Sequence, residues 1–376
     1  MMQCIRCCVY ALIVCSMICT ITLIEWHNKE SRDNRSKHRL IMNSSHDNIL
    51  PGLLLKCPWM KRNNTLHNYY TGHGKPLHIH TVDYMQVPKI ASGTMKGCMR
   101  KIKKNMSLTM ATFTYKDIPE KYMKYRTLEK PFPPLVLGGF SFGLADISNL
   151  SFAYFLVLRE PYDRIISHYE HCRTRNTKDH ICLHMNAKEV TVKQWAIHVG
   201  SYVFRQLFNN VLLCTTNYEH YIRKAALGLP YARTVRGELI STTTQLNMAE
   251  MQCWYKHKLY LDYYMTSSEH EAMLQYVLEH LEDWFTVVGL LNEYSMTLTL
   301  LQEAVKLPFA TLCDPSSKHN ENTRYNSTVT KTDMVDELRK QLINDNEVYK
   351  ALYYDIRIYN KVEQIFHKQK TKYLEL

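Results

Sequence analysis

Residues 152–158, Phe-Ala-Tyr-Phe-Leu-Val-Leu, form an uninterrupted apolar run that breaks at Arg159-Glu160-Pro161. A run of strand length that is apolar on both faces reads as the central strand of a parallel sheet, covered on each side. Such a sheet needs crossover helices between its strands, and the pattern supplies three strand-to-helix units. The first runs from His78 to Val87, through a turn at Pro88–Gly93, into a basic helix over about 94–104. The second is the 152–158 strand followed by a helix with Pro161 and Asp163 in its first turn, both favourable at a helix N-terminus. The third runs from Trp284 to Gly289 into an amphipathic stretch over 294–307. A closing segment, 331–369, is helical in pattern and broken near Asn344. The fold class expected is therefore α/β, with a central parallel sheet flanked by helices.

The amino-terminal region follows other rules. Residues 7–24 carry no formal charge, and about 18 such residues are at the short end of what spans a bilayer core. A signal anchor is expected there, with a cleaved signal peptide as the rival reading. The organisation expected is a short cytoplasmic tail at 1–6, the transmembrane anchor at 7–24, a polar stem at 25–76 and a lumenal domain at 77–376. Charge does not orient the anchor, since Arg6 on one side faces Lys29, Arg32, Arg35 and Lys37 on the other. Six N-x-[ST] triplets, at Asn34, Asn43, Asn63, Asn105, Asn149 and Asn326, carry meaning only in a glycosylating compartment. Seven cysteines lie beyond the anchor, and no C-x-x-C pair suggests zinc, so disulfides are expected, first Cys172 with Cys182 and Cys214 with Cys253. His73, His78 and His80 have no accompanying Cys or carboxylate spacing, and no metal is expected.

Two junctions carry chemistry. Pro88-Lys89-Ile90-Ala91-Ser92-Gly93-Thr94 lies between a strand and a helix, where backbone N–H groups converge on an anion. It lacks the G-x-x-x-x-G-K-[ST] spacing of nucleoside triphosphatases. Lys89, placed before the small residues, suits charge developing on a leaving phosphate oxygen. At the carboxyl end of the 152–158 strand, where open α/β sheets bind ligands, Arg159 is placed to pair with a phosphate and Ser167 to add a hydroxyl. The surplus of 47 Lys and Arg over 35 Asp and Glu, net +12, favours an anionic partner.

PKIASGT resembles the 5′-phosphosulfate loop, and LREPYDRIISHY the 3′-phosphate motif, of Golgi carbohydrate sulfotransferases, most closely the heparan sulfate and uronyl 2-O-sulfotransferase group. GGFSFGLADI, WFTVVGLLNEYSMTLTLLQEAV and SKHNENTRYNSTVTK resemble segments of that group in the same order, so the likeness spans roughly residues 78–365. The resemblance implies a P-loop-like nucleotide-binding domain that uses 3′-phosphoadenosine 5′-phosphosulfate. Lys89, Ala91, Ser92, Gly93 and Thr94 would hold its 5′ end, with Lys89 catalytic; Arg159 and Ser167 would hold its 3′-phosphate; and the loop at His319–Arg324 would close over the nucleotide. It also implies an anionic glycan acceptor such as heparan or dermatan sulfate and a single-pass type II Golgi membrane protein with its domain in the lumen. A homo-oligomer is left open.

The sequence departs from that pattern in two places. Glu321 stands where a basic residue is expected, and Leu137-Gly138-Gly139-Phe140-Ser141 replaces a H-G-H-V-S-like segment that carries the catalytic base. An acceptor hydroxyl must lose its proton as the S–O bond forms; His80 and His168 are the candidate substitutes. The competing readings are a catalytically impaired glycan-binding or scaffold protein, and a sulfotransferase acting on tyrosine or lipid. A nucleic-acid role for the basic run 96–104 conflicts with the expected compartment.

Overall fold

The computed structural model describes residues 79–113, 132–139, 141–142, 151–174, 182, 185–207, 267–313 and 331–374. The expected anchor and stem, Cys214, Cys253 and the loop at 319–324 lie outside these residues.

Among the described residues the sheet has five parallel strands: β1 (Thr81–Met85), β2 (Met110–Phe113), β3 (Leu135–Gly138), β4 (Phe152–Leu158) and β5 (Val287–Leu290), in the order β2-β3-β1-β4-β5. The apolar run that demanded a central position is β4, buried at every residue and flanked by β1 and β5. Between the strands lie α1 (Ser92–Asn105), α2 (Pro161–Thr174), α3 (Val192–Val199), α4 (Tyr202–Leu207) and α5 (Ser267–Trp284), and after β5 come α6 (Tyr294–Val305), α7 (Phe309–Leu312), α8 (Lys331–Ile343) and α9 (Asn346–Leu374).

The expected boundaries shift in an informative way. Helix α1 starts at Ser92, so the small residues of the turn are its first helical residues and the cradle is a true helix N-terminus. In the third unit, Trp284 ends a helix and the strand begins only at Val287. The break near Asn344 is real, separating α8 from α9.

On one side of the sheet, Tyr84 of β1 stacks on Phe155 of β4 at 4.8 Å, and Phe155 meets Phe309 of α7 edge to face. The Cys98–Cys313 disulfide ties α1 to the end of α7 across a sequence separation of 215. The expected Cys172–Cys182 disulfide is present at the end of α2. Elsewhere, among the described residues, one fully buried ion pair joins helices. Arg164 of α2 donates to Asp355 of α9 at 3.0 Å, with both side chains 1% exposed. The same carboxylate accepts from the backbone N–H groups of Val203 and Phe204 at 3.1 and 2.9 Å, so it also fixes the start of α4. Burial raises the Asp355 carboxyl from its ordinary value, while Arg164 and these N–H groups oppose the rise.

Strand β5 is an edge of the sheet, and an uncovered edge presents unpaired N–H and C=O groups. Gln369 of α9 closes it: its Oε1 accepts from Val288 N at 3.1 Å and its Nε2 donates to Thr286 O at 3.3 Å. Gly289 belongs here by necessity, because a Cβ would stand 2.2 Å from Cγ2 of Thr297.

Candidate active site

After β1 the chain crosses toward β2 and β3, whereas β4 lies on the other side of β1 and leads on to β5. The connection reverses between β1 and β4, and open α/β sheets bind ligands at the carboxyl edge beside such a switch point. Met85 pairs with Leu156, so the turn after β1 and Arg159 after β4 emerge at the same edge. The structure therefore brings the two sequence motifs together.

The first motif is a strained turn feeding an open helix end. Lys89 and Ala91 have φ of 68° and 58°, left-handed conformations that are costly for side-chain-bearing residues and gather at functional sites. The residue before α1, Ala91, offers no side-chain cap, and no acid stands in the first turn. The first N–H groups of α1 thus keep their capacity and the positive end of the helix dipole for an outside anion. Ser92 Oγ donates to Val87 O at 2.6 Å, which commits the hydroxyl to bracing the loop and leaves its N–H for a ligand. Gly93 is exposed, and Lys89 and Thr94 are half-buried at the rim. Beneath the turn, burial pushes the Tyr84 phenol far above its ordinary value, with the nearby Tyr294 adding to the rise and Ser92 opposing it.

The second motif turns on what its arginine does not pair with. Arg159 is half-buried, and among the described residues no carboxylate lies within 4.0 Å of its guanidinium. Its acidic neighbours are engaged elsewhere: Arg339 of α8 donates to Asp163 at 3.1 Å and lies 3.8 Å from Glu160. Glu160 also accepts from Asp163 N at 2.8 Å, starting α2. Burial lowers the Arg159 guanidinium from its ordinary value, and Asp163 and Glu160 push it back. An arginine kept partly desolvated and without a carboxylate is ready for a phosphate. Ser167 is half-buried two turns further along the same helix.

Both substitute histidines fall away. His168 is 2% exposed and packs edge to face on Trp195, 5.1 Å between centroids. His80 precedes β1, and the strand's length, about 16 Å, separates it from the carboxyl edge; its ring lies 3.3 Å from Phe132 O at the opposite edge. The departing segment is structural at both ends: Leu137 is buried in β3, and Ser141 donates to Tyr84 O and Gly138 O at 3.3 and 3.0 Å.

Gln206 of α4 was not foreseen. Its Nε2 donates to Gln86 O at 2.8 Å and Gly139 O at 2.7 Å, joining the carboxyl ends of β1 and β3. A Cβ on Gly139 would lie 3.3 Å from that nitrogen, so the small residue and the glutamine are a matched pair. Gln206→Leu is expected to lower stability by about 1–3 kcal/mol, because two carbonyls lose their donor. Gln206→Glu should not rescue it, as an ionised carboxylate cannot donate; urea unfolding of both variants checks this.

Among the described residues there is no group of three or more His, Cys, Asp or Glu that could hold a metal ion, and no helix long and apolar enough to cross a membrane. Comparison with curated proteins gives no match. The sequence profile described as "Sulfotransferase family" matches residues 78–360, a span that runs from the start of β1 into α9 and holds both motifs. With the cradle and Arg159 at one sheet edge inside that span, the chain belongs to the Sulfotransferase family.

Proposed function

We propose that this protein transfers sulfonate from 3′-phosphoadenosine 5′-phosphosulfate to a hydroxyl of a carbohydrate in the secretory lumen, with an anionic glycosaminoglycan such as heparan or dermatan sulfate as acceptor. The observation that carries the proposal is the pairing, at one switch point, of an uncapped helix N-terminus behind Lys89 with Arg159, whose neighbouring acids are engaged by Arg339. Two anion sites at one sheet edge suit a donor that carries phosphate at its 3′ and 5′ positions. The donor supplies the activated S–O bond. The chain's residues hold and polarise it: the N–H groups of Ser92, Gly93 and Thr94 take the 5′ end, Lys89 offsets charge on the phosphate oxygen as that bond breaks, and Arg159 with Ser167 fixes the 3′-phosphate. Positioning and electrostatics supply most of the acceleration.

The two disulfides support the lumenal placement, since such bonds persist in oxidising compartments. Exposed Asn105 of a glycosylation triplet is compatible with it. A Golgi membrane anchor at 7–24 completes the proposal.

A second reading has a specific observation behind it. With Leu137 and Gly139 at the family's histidine positions and neither His80 nor His168 at the edge, a protein that binds donor and glycan without transfer is also consistent. Incubation of the protein with radiolabelled donor and a panel of desulfated glycosaminoglycans separates the two. Label on one glycan supports transfer; tight nucleotide binding without label on any acceptor supports the binding protein. Arg159→Ala is expected to weaken binding of 3′-phosphoadenosine 5′-phosphate by about ten- to a hundred-fold, the worth of a charge-assisted hydrogen-bond pair. Calorimetric titration measures it, and unchanged affinity would place the 3′-phosphate elsewhere.

A further inference from the structure

Helix α1 begins at the donor cradle and bears Lys96, Arg100, Lys101, Lys103 and Lys104 without one Asp or Glu. Arg100, Lys101, Lys103 and Lys104 are exposed, and among the described residues none of them has a carboxylate within ion-pair distance. Other helices mix their cations with acids: α2 carries Asp163 and Glu170, α8 Asp336 and Glu337, and α9 Glu347, Asp355 and Glu363, and several of their cations, Arg164, Arg173, Arg339, Lys368 and Lys370, are in ion pairs. Favourable interaction with the helix dipole accounts for Lys103 and Lys104 in the last turn. It does not account for Arg100 and Lys101, nor for the missing acids.

The opposite face of α1 is fixed. Met95, Cys98, Met99 and Ile102 are buried, and Cys98 is bonded to Cys313. The cationic face is thus a rigid stripe on the helix that leaves the cradle, its charges from Lys96 to Lys104 spanning about 12 Å, eight residues at the helical rise.

We propose that this face of α1 is a docking surface for the polyanionic glycan chain whose hydroxyl is presented at the cradle, holding sugars beyond the reacting residue. The inference rests on the donor site proposed above. Its shape favours a linear polyanion over a membrane, which would meet a plane of charge with apolar anchors. Only Met106, at the helix end, is an exposed large apolar residue there. The α1 sequence contains no aromatic residue on which nucleic-acid bases could stack.

The test uses the full chain and a size-defined heparin oligosaccharide as the sulfated, uronate-containing probe. Three proteins are compared: wild type; Arg100→Gln/Lys101→Gln/Lys103→Gln/Lys104→Gln; and a control, Lys188→Gln/Lys306→Gln/Lys350→Gln/Lys368→Gln, which removes equal charge from other exposed positions. The α1 variant is expected to bind heparin at least about ten-fold more weakly, with a log affinity against log salt slope shallower by about three to four, one counterion per lost contact. The control should stay within about two-fold, its charges lying off the docking path. Thermal stabilisation by 3′-phosphoadenosine 5′-phosphate should be equal in all three. Equal weakening in the control, an unaffected α1 variant, or tighter wild-type binding to phosphatidylserine vesicles or single-stranded DNA would overturn the proposal. Absence of nucleotide stabilisation in wild type would sink the donor reading and this inference with it, whereas absence of heparin binding by wild type would sink this inference and leave the donor reading standing.

Discussion

Replacing Asp355 by alanine is expected to lower folding stability by about 3–5 kcal/mol, the scale for a buried charge stripped of its partner. Arg164 would keep its charge inside the protein, while Val203 and Phe204 would lose the acceptor that starts α4. The loss should appear as a lower urea midpoint with little change in slope. A double variant, Arg164→Met with Asp355→Leu, should recover much of the loss, because no charge then remains to be desolvated. If the single and double variants unfold alike, the ion pair is not what the structure indicates. Helix α2 begins beside Arg159, so the damage should extend to nucleotide affinity.

The largest expected effect on chemistry is at Lys89. Lys89→Ala should reduce sulfonate transfer by about 10²–10³-fold in kcat, the scale for removing one preorganised charge or donor from a developing anion. Donor affinity should fall less, since the helix N-terminus and Arg159 still hold both phosphates. A mutant that lost affinity and kept kcat would make Lys89 a binding residue only. Lys89→Arg is an informative companion, because it retains the charge in a planar fork where a compact ammonium stood.

How much of this was legible in the sequence depended on the length of each signal. Seven apolar residues at 152–158 announced the central strand, and Pro161 marked the start of the helix after it. Strands β2 and β3 have four residues each, too few for periodicity to rise above the local composition, and were not foreseen. Helix α3 had a readable start: Thr191 and Gln194 form a capping box, a T-x-x-Q signature visible in the sequence. Lys89 and Arg159 were legible because each lies at a strand-to-helix junction. Their supports were not. Arg339 is 176 residues from the Asp163 it engages, and Gln206 is 120 residues from Gln86; such partners are set by tertiary packing alone. For the same reason the spacing of cysteines suggested the local Cys172–Cys182 bond and gave no hint of Cys98–Cys313.

The closure of β5 by Gln369 bears on how this protein is made. A ribosome delivers Val287 and Val288 some eighty residues before Gln369, the side chain that covers their edge. Throughout that interval the nascent chain carries an open strand edge, the feature through which incomplete sheets pair with one another. Chaperones that shield such edges should therefore matter more for this protein's yield than for its stability once complete, and chains released early, short of residue 369, should aggregate even though both anion sites are already encoded in them.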